Sequence, residues 1–290
     1  MTFLSYFISG LGLGSVYAII ALGYSMVYGI AKMLNFAHGD VIMIGAFVSY
    51  FAMSDHGLPA AVAVLLSILI CTLLGVLIER LAYKPLRQAT SLAVLITAIG
   101  VSYFLQNIAQ ILWGADTKIF PSVLSGSLSV SGLSVSYLTL ITISACAVIM
   151  VVLTLFINRT KTGRAMRACS EDKGAAALMG INVDRIISLT FAIGSGLAAI
   201  AAVLLCATYP SVYPTLGSMP GIKAFTAAVF GGIGSIPGAF LGGLLLGVIE
   251  NLSKAYISTQ LSDAIVFAVL IVILLIKPAG LLGKMKREKV

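Results

Sequence analysis

Glu250 and Lys254 stand one helical turn apart inside an apolar run, and His38 stands two residues before Asp40 in the segment Asn35-Phe36-Ala37-His38-Gly39-Asp40. A third polar group, Gln106, Asn107 and Gln110, interrupts the apolar stretch from Leu92 to Trp113. A carboxylate with an amine four residues later is a structural ion pair or part of an ion pathway. A histidine near an acid relays protons, or caps or packs at a helix start. Three amides on one helix hydrogen-bond a neighbouring helix or line a translocation path. Asp40, Asp55, Glu79, Asp263 and Lys223 fall at segment ends, so Glu250 is the acid placed well within an apolar run. With Lys254 it is expected toward the outer interface or inside a bundle. Cys71, Cys146, Cys169 and Cys206 show no CxxC spacing, so neither a disulfide framework nor a metal site is expected.

The elements that hold these groups must be membrane helices. Of the 290 residues 60% are apolar and 10% charged, against about 25% charged in an average soluble domain. A soluble globular enzyme is excluded. The apolar runs are continuous and rich in Ala, Leu, Ile and Gly, unlike the roughly ten-residue alternating segments of an outer-membrane barrel. At roughly 20 residues per crossing the composition supports about eight or nine spans. The expected fold is all-α, one polytopic transmembrane helical bundle over residues 1–290. The apolar stretches are Phe7 to Ile30, Val41 to Met53, Pro59 to Leu81, Leu92 to Trp113, Tyr137 to Ile157, Ile186 to Thr208, Ile222 to Gly234, Pro237 to Tyr256 and Ala264 to Ile276. The second, seventh and last are too short to cross unaided, which predicts broken or re-entrant segments.

The net charge of +8 comes from 18 basic and 10 acidic residues. The basic ones gather in short loops and the tail, the pattern of cytoplasmic loops rather than of a nucleic-acid binder. Arg80, Lys84 and Arg87 mark one such loop, residues 159–185 a second, and Lys277, Lys284, Lys286, Arg287 and Lys289 the tail. The nearly uncharged stretches Gly114 to Ser136 and Tyr209 to Gly221 are expected outside, with the N-terminus outside and the C-terminus inside. No removable signal peptide is read at the N-terminus. The segment Tyr209-Pro210-Ser211-Val212-Tyr213-Pro214 suits an outer gate, a protein-docking site or an interfacial aromatic belt.

Within the loop 159–185, Ser170 with Glu171 and Asp172 opens a helix expected from Glu171 to Met179. Gly180 supplies a left-handed stop and Asn182 opens the next turn. The result is a short amphipathic helix suited to docking in a groove on another protein, or a solvated loop that merely fixes topology. Small residues fall at helical spacing: Gly10, Gly14 and Ala18; Gly194, Ala198 and Ala202; Gly238 with Gly242, beside Gly243 with Gly247. Such stripes let helix backbones approach closely in lipid. Two breaks look related, Asn35 to Asp40 and Gly231 to Gly238, with Asp40 and Ser235 as N-caps. They suggest an internal repeat, inverted in the membrane, whose exposed helix starts could hold a carboxylate.

Several stretches resemble one known family: Leu22-Gly23-Tyr24-Ser25-Met26-Val27-Tyr28-Gly29, Asn35-Phe36-Ala37-His38-Gly39-Asp40, Gly163-Arg164-Ala165-Met166-Arg167-Ala168, Gly180-Ile181-Asn182-Val183-Asp184-Arg185, and the run from Lys223 through Gly234 and Ser235 to Ala239. The chain is similar to the inner-membrane permeases of branched-chain amino-acid ABC transporters, in particular the H-type subunits of high-affinity leucine, isoleucine and valine systems. The resemblance implies a bacterial inner-membrane subunit that works with a second permease in a heterodimer, two cytoplasmic ATPase subunits and a periplasmic amino-acid-binding protein. It also implies a cytoplasmic coupling helix on about Glu171 to Ile181, including Asp172, Gly174, Ala175, Ala176 and Gly180. Many importer permeases carry Glu-Ala-Ala, three residues, then Gly; here Gly174 replaces the glutamate. No Gly-x-x-x-x-Gly-Lys-Ser/Thr loop occurs, so ATP energy is expected from a separate chain and no catalysis from this one. A permease for urea or short amides resembles the same stretches, and an ion-coupled secondary carrier is the competing class. Asn35, His38, Gly39, Asp40, Gln106, Asn107, Gln110, Gly234 and Ser235 are the candidates for the translocation path or its helix breaks.

Overall fold

The computed structural model describes residues 2–124, 126–130 and 133–283. Apolar runs form most of the helices, with Pro confined to the first turn of two of them and two short polar helices in the basic loop: α1 (Thr2–Ala31), α2 (His38–Ser54), α3 (Ala60–Ile78), α4 (Ser91–Trp113), α5 (Tyr137–Arg159), α6 (Lys161–Glu171), α7 (Lys173–Leu178), α8 (Val183–Thr208), α9 (Ser218–Gly231), α10 (Ile236–Tyr256) and α11 (Ser262–Ile276). Among the described residues six helices are long and apolar enough to cross a membrane: α1, α4, α5, α8, α10, and α3 with its extension to Leu86. Helix α11 is apolar but shorter, and α2 and α9 run for only 17 and 14 residues. Two small antiparallel pairs lie outside the helices: β1 (Lys118–Ile119) with β4 (Ser211–Val212), and β2 (Ser127–Val130) with β3 (Leu133–Ser136). The tail residues Lys284, Lys286, Arg287 and Lys289 lie outside the described residues.

One end of the bundle carries α6 and α7. The other carries the β1–β4 pair, and Trp113 there stacks on Phe47 of α2. Helix α1 ends beside α7, where Lys173 donates to the Ala31 carbonyl, and α8 begins at the same end. The two helices therefore run in opposite directions. Their surroundings match in pairs: α1 packs on α10 as α8 packs on α3, α2 on α3 as α9 on α10, and α2 on α4 as α9 on α11. This is the inverted repeat expected from the sequence, α1–α4 against α8–α11, but the two breaks correspond differently. The counterpart of the α1–α2 break is the 209–217 segment between α8 and α9. Gly231 to Gly238 instead joins α9 to α10, as 55–59 joins α2 to α3. Helix α9 also begins at Ser218, earlier than its apolar run, so Lys223 sits within the helix rather than at a segment end.

The glycine stripes supply the central contact. A Cβ on Gly14 would strike the α10 backbone at Leu244, and one on Gly243 or Gly247 would strike α1 at Ala18 or Gly14. Without side chains between them the two helices pack backbone to backbone, which in lipid replaces the hydrophobic effect as the source of cohesion. Gly247→Leu is expected to lower the unfolding free energy by about 1–3 kcal/mol through overpacking. A detergent unfolding midpoint unchanged by that substitution would place the contact elsewhere. Around this centre α3, α5 and α11 turn outward Leu65, Leu69 and Leu73, Val148 and Val152, and Ile271 and Leu275, as lipid-facing helices do.

Candidate functional site

The knob at the α6–α7 end is built by caps. Thr160 caps α6 through the amide of Gly163, whose own position against Phe156 and Ile157 leaves no room for a side chain. Asp172 accepts from the Ala175 amide at 3.0 Å and starts α7. The helix expected from Glu171 to Met179 is thus two helices meeting at Asp172, with Glu171 closing the first. Ser170 does not cap; its hydroxyl turns back to the Arg167 carbonyl, because the chain at Ser170 is still helical. Gly180 takes φ 81° and ends α7 as expected, with Gly180 N–H donating to Ala177 and Ile181 N–H to Ala176. That pair of bonds is the Schellman closure, which brings Ile181 back against the last turn. Asn182 then caps α8 through the Arg185 amide.

Ala176 is buried under α7, while Leu178 is 91% and Met179 82% exposed at its tip. Neither was among the sequence candidates, although two large apolar residues before a helix-stopping glycine in a polar loop are the available signal. The knob is wired inward. Lys173 Nζ sits 2.6 Å from the Ala31 carbonyl at the end of α1, a cation on a helix C-terminus. Burial, with Arg87 and Lys32 nearby, holds the Lys173 ammonium below the usual lysine range. Beside it Arg87 bridges Glu79 and Asp184, Lys84 reaches Asp184 at 2.9 Å, and Ser188 donates to Glu79 at 2.6 Å. This network clamps the end of α3 to the start of α8.

The second region lies inside the bundle. Helix α2 runs from the interior to the β1–β4 end, and α9 from the interior to the opposite end. They start where they meet, with Gly39 against Gly217 and Gly221 so closely that a Cβ at Gly39 or Gly217 would strike the other strand of backbone. Neither start has a side-chain cap. Asp40 does not cap α2, as its position suggested, because its carboxylate accepts from Gln106 of α4 at 2.8 Å. The same Gln106 amide lies 3.3 Å from the hydroxyls of Ser102 and Ser218, two residues the sequence gave no reason to single out. His38 is buried edge-on against Tyr24, 4.6 Å between ring centres, and packs at the Gly23 gap in α1. Asn35 is held elsewhere, accepting from Tyr83 at 2.9 Å.

The remaining candidates separate. Asn107 and Gln110 are exposed on the outer face of α4. Gly234 and Ser235 lie near the α6 end, where Gly234 N–H donates to Ser25 and Ser235 caps α10 through Gly238. With Arg167 and Met166 they border a cavity of about 640 Å³ between α1, α5, α6 and α10. Glu250 pairs with Lys254 as its spacing predicts, at 2.6 Å. Two further partners come from other helices: Lys223 of α9 lies 2.8 Å from Glu250 and 2.6 Å from Asp263 of α11.

Opposed halves that meet at a pair of buried helix starts make a membrane permease, a protein that moves a solute rather than one that anchors a domain. The chain belongs to the family described as branched-chain amino acid transport system / permease component, whose profile matches residues 6–274. It is 47% identical, over 99% of its length and 98% of the relative's, to the high-affinity branched-chain amino acid transport system permease protein LivH of Escherichia coli strain K12. It is 46% identical over the same shares to the permease protein BraD of Pseudomonas aeruginosa. A probable branched-chain amino acid transport permease LivH of Methanocaldococcus jannaschii is 26% identical over 93% of this chain and 90% of its own. Among solved structures, PsaBC from Streptococcus pneumoniae in complex with Fab is similar at 15% identity and a TM-score of 0.48, covering 91% of this chain and 89% of that one.

Proposed function

We propose that this chain is the permease subunit of an ATP-driven importer that carries leucine, isoleucine and valine across the bacterial inner membrane. Its partners are a second permease in a heterodimer, two cytoplasmic ATPase subunits and a periplasmic binding protein. The observation that carries the reading is the α7 knob: a capped helix with a bare apolar tip, bonded to the end of α1, on the end of the bundle that bears the basic loops. That end is cytoplasmic by the positive-inside rule. The residues Glu171, Asp172, Gly174, Ala175, Ala176, Gly180 and Ile181 shape the knob, and Leu178 and Met179 enter the ATPase groove. ATP-driven closure of the partners moves the knob and shifts the bundle between outward and inward openings. The path runs past the α2–α9 junction, where Gly39, Asp40, Gln106 and Ser218 supply the polar groups for a zwitterion.

The test is uptake by the complete transporter in vesicles loaded with ATP. Unlabelled leucine is expected to suppress radioactive leucine uptake, and urea at the same concentration to leave it unchanged. Suppression by urea alone would move the chain to the short-amide carriers. Uptake that persists without ATP and collapses with an ionophore would make it an ion-coupled carrier.

A further inference from the structure

Among the described residues the buried acids are Asp40, Glu79 and Glu250. Glu79 holds Arg87, and Glu250 holds Lys223 and Lys254. Asp40 pairs with no described cation. It stands in the first turn of α2, where the helix dipole favours the ionised carboxylate, and the group that reaches it is the neutral amide of Gln106. A carboxylate buried in a membrane bundle is costly, so one left without a charge partner marks a place where a partner arrives.

The Gln106 amide shows what that partner looks like. Its Nε2 lies among three oxygens, 2.8 Å from Asp40 Oδ1 and 3.3 Å from both Ser102 Oγ and Ser218 Oγ. They belong to α2, α4 and α9, so the cage straddles the two halves of the repeat. A carboxamide nitrogen has two hydrogens and no charge, which leaves one oxygen unanswered and the carboxylate unneutralised. An ammonium brings three hydrogens and a positive charge, the complement of three oxygens with one negative charge. A calcium or magnesium ion takes about six or more oxygens, more than the cage offers.

We propose that the cage of Asp40, Ser102 and Ser218 binds a primary ammonium, the α-amino end of the transported amino acid, with Gln106 holding its place between passages. The proposal rests on the reading of the chain as an amino-acid permease and gives Asp40 its role there. Ser102, Gln106 and Ser218 are half-buried, so the amide turns aside on that flank while Asp40 stays fixed in the interior. The permease thereby selects for a positive amino group by itself, beyond whatever the binding protein selects.

The test uses the complete transporter in lipid nanodiscs without the binding protein and reads leucine binding by saturation-transfer NMR. Isoamylamine, which keeps the branched chain and the amine but lacks the carboxylate, is expected to displace leucine. Isocaproate, which keeps the carboxylate but lacks the amine, is expected to displace it far less. Asp40→Asn keeps an oxygen for Gln106 and removes the charge; it should weaken leucine and isoamylamine binding about ten- to a hundredfold, the range of a hydrogen bond to a charged group. Asp40→Glu, which restores the charge, should recover part of that loss. Equal displacement by the two analogues, or no leucine signal, in a transporter that takes up leucine with ATP overturns the ammonium site and leaves the importer standing. A folded Asp40→Asn transporter that binds leucine as the parent does has the same consequence. The comparison of analogues needs no substitution, so it decides the matter even where a variant fails to assemble. Leucine that neither binds nor enters overturns the site and the amino-acid reading together.

Discussion

Replacing Leu178 and Met179 together by aspartate is expected to abolish ATP-driven leucine accumulation while the chain remains folded in the membrane at its normal level. The two side chains are almost fully exposed at the tip of α7, so nothing in the chain itself loses a contact. Their apolar surface has a role only against another protein, where burying each contributes about 1.5–3 kcal/mol. Losing both weakens docking by about two to four powers of ten, at roughly 1.4 kcal/mol for each factor of ten. The measurements are leucine uptake and ATPase activity in reconstituted vesicles, with co-purification of the ATPase subunits as the binding readout. Full uptake by the double variant, with the ATPases still bound, would remove the tip from the docking contact. Gly180→Val provides a second route to the same end, since φ 81° strains any β-branched residue and the Schellman closure that orients the tip would be lost.

The second large effect is expected inside the bundle. Lys223→Met should lower the unfolding free energy by about 1–3 kcal/mol, because buried Glu250 loses one of its two cationic partners and keeps only Lys254. Glu250 is 1% exposed and takes Lys223 at 2.8 Å and Lys254 at 2.6 Å on the same carboxylate oxygen, while Asp263 takes Lys223 from the other side. Lys254 is partly exposed and holds Glu250 alone, whereas Asp263 is partly open to solvent. Lys223 also ties three helices, α9, α10 and α11, so its loss is felt across the contact. Adding Glu250→Leu should recover most of the stability, because a buried pair replaced by apolar groups costs little. Unfolding midpoints in detergent for the single and double variants decide the matter. A single variant as stable as the parent would mean that water already reaches the site.

Much of this architecture was legible because it is local. Apolar runs, small residues at helical spacing, the Gly180 stop, the Asn182 and Ser235 caps and the Glu250–Lys254 pair each depend on neighbours within a turn or two. What escaped depends on distant partners. Asp40 has the sequence of a helix cap, yet its carboxylate is claimed by Gln106, 66 residues on. Ser170 and Asp172 are equally good capping types, and only the backbone at Asp172, extended at φ −151° and ψ 115°, selects the second. Lys223 reads as an end charge until Glu250 and Asp263 are seen around it. The repeat itself was visible, but Gly231 to Gly238 looks more like the first break than does its true counterpart, 209–217, which turns with Pro210 and Pro214 and reaches glycine only at its end. Resemblance in composition followed turn chemistry, whereas the equivalence follows packing.

Lys173 grips the last carbonyl of α1, a rod about 45 Å long at 1.5 Å per residue. Along that rod the glycines of α10 leave no compressible side chains to absorb a push. Within the proposed coupling, a load placed on the tip of α7 would be delivered lengthwise along one stiff member, and the small knob would act as the foot of a piston.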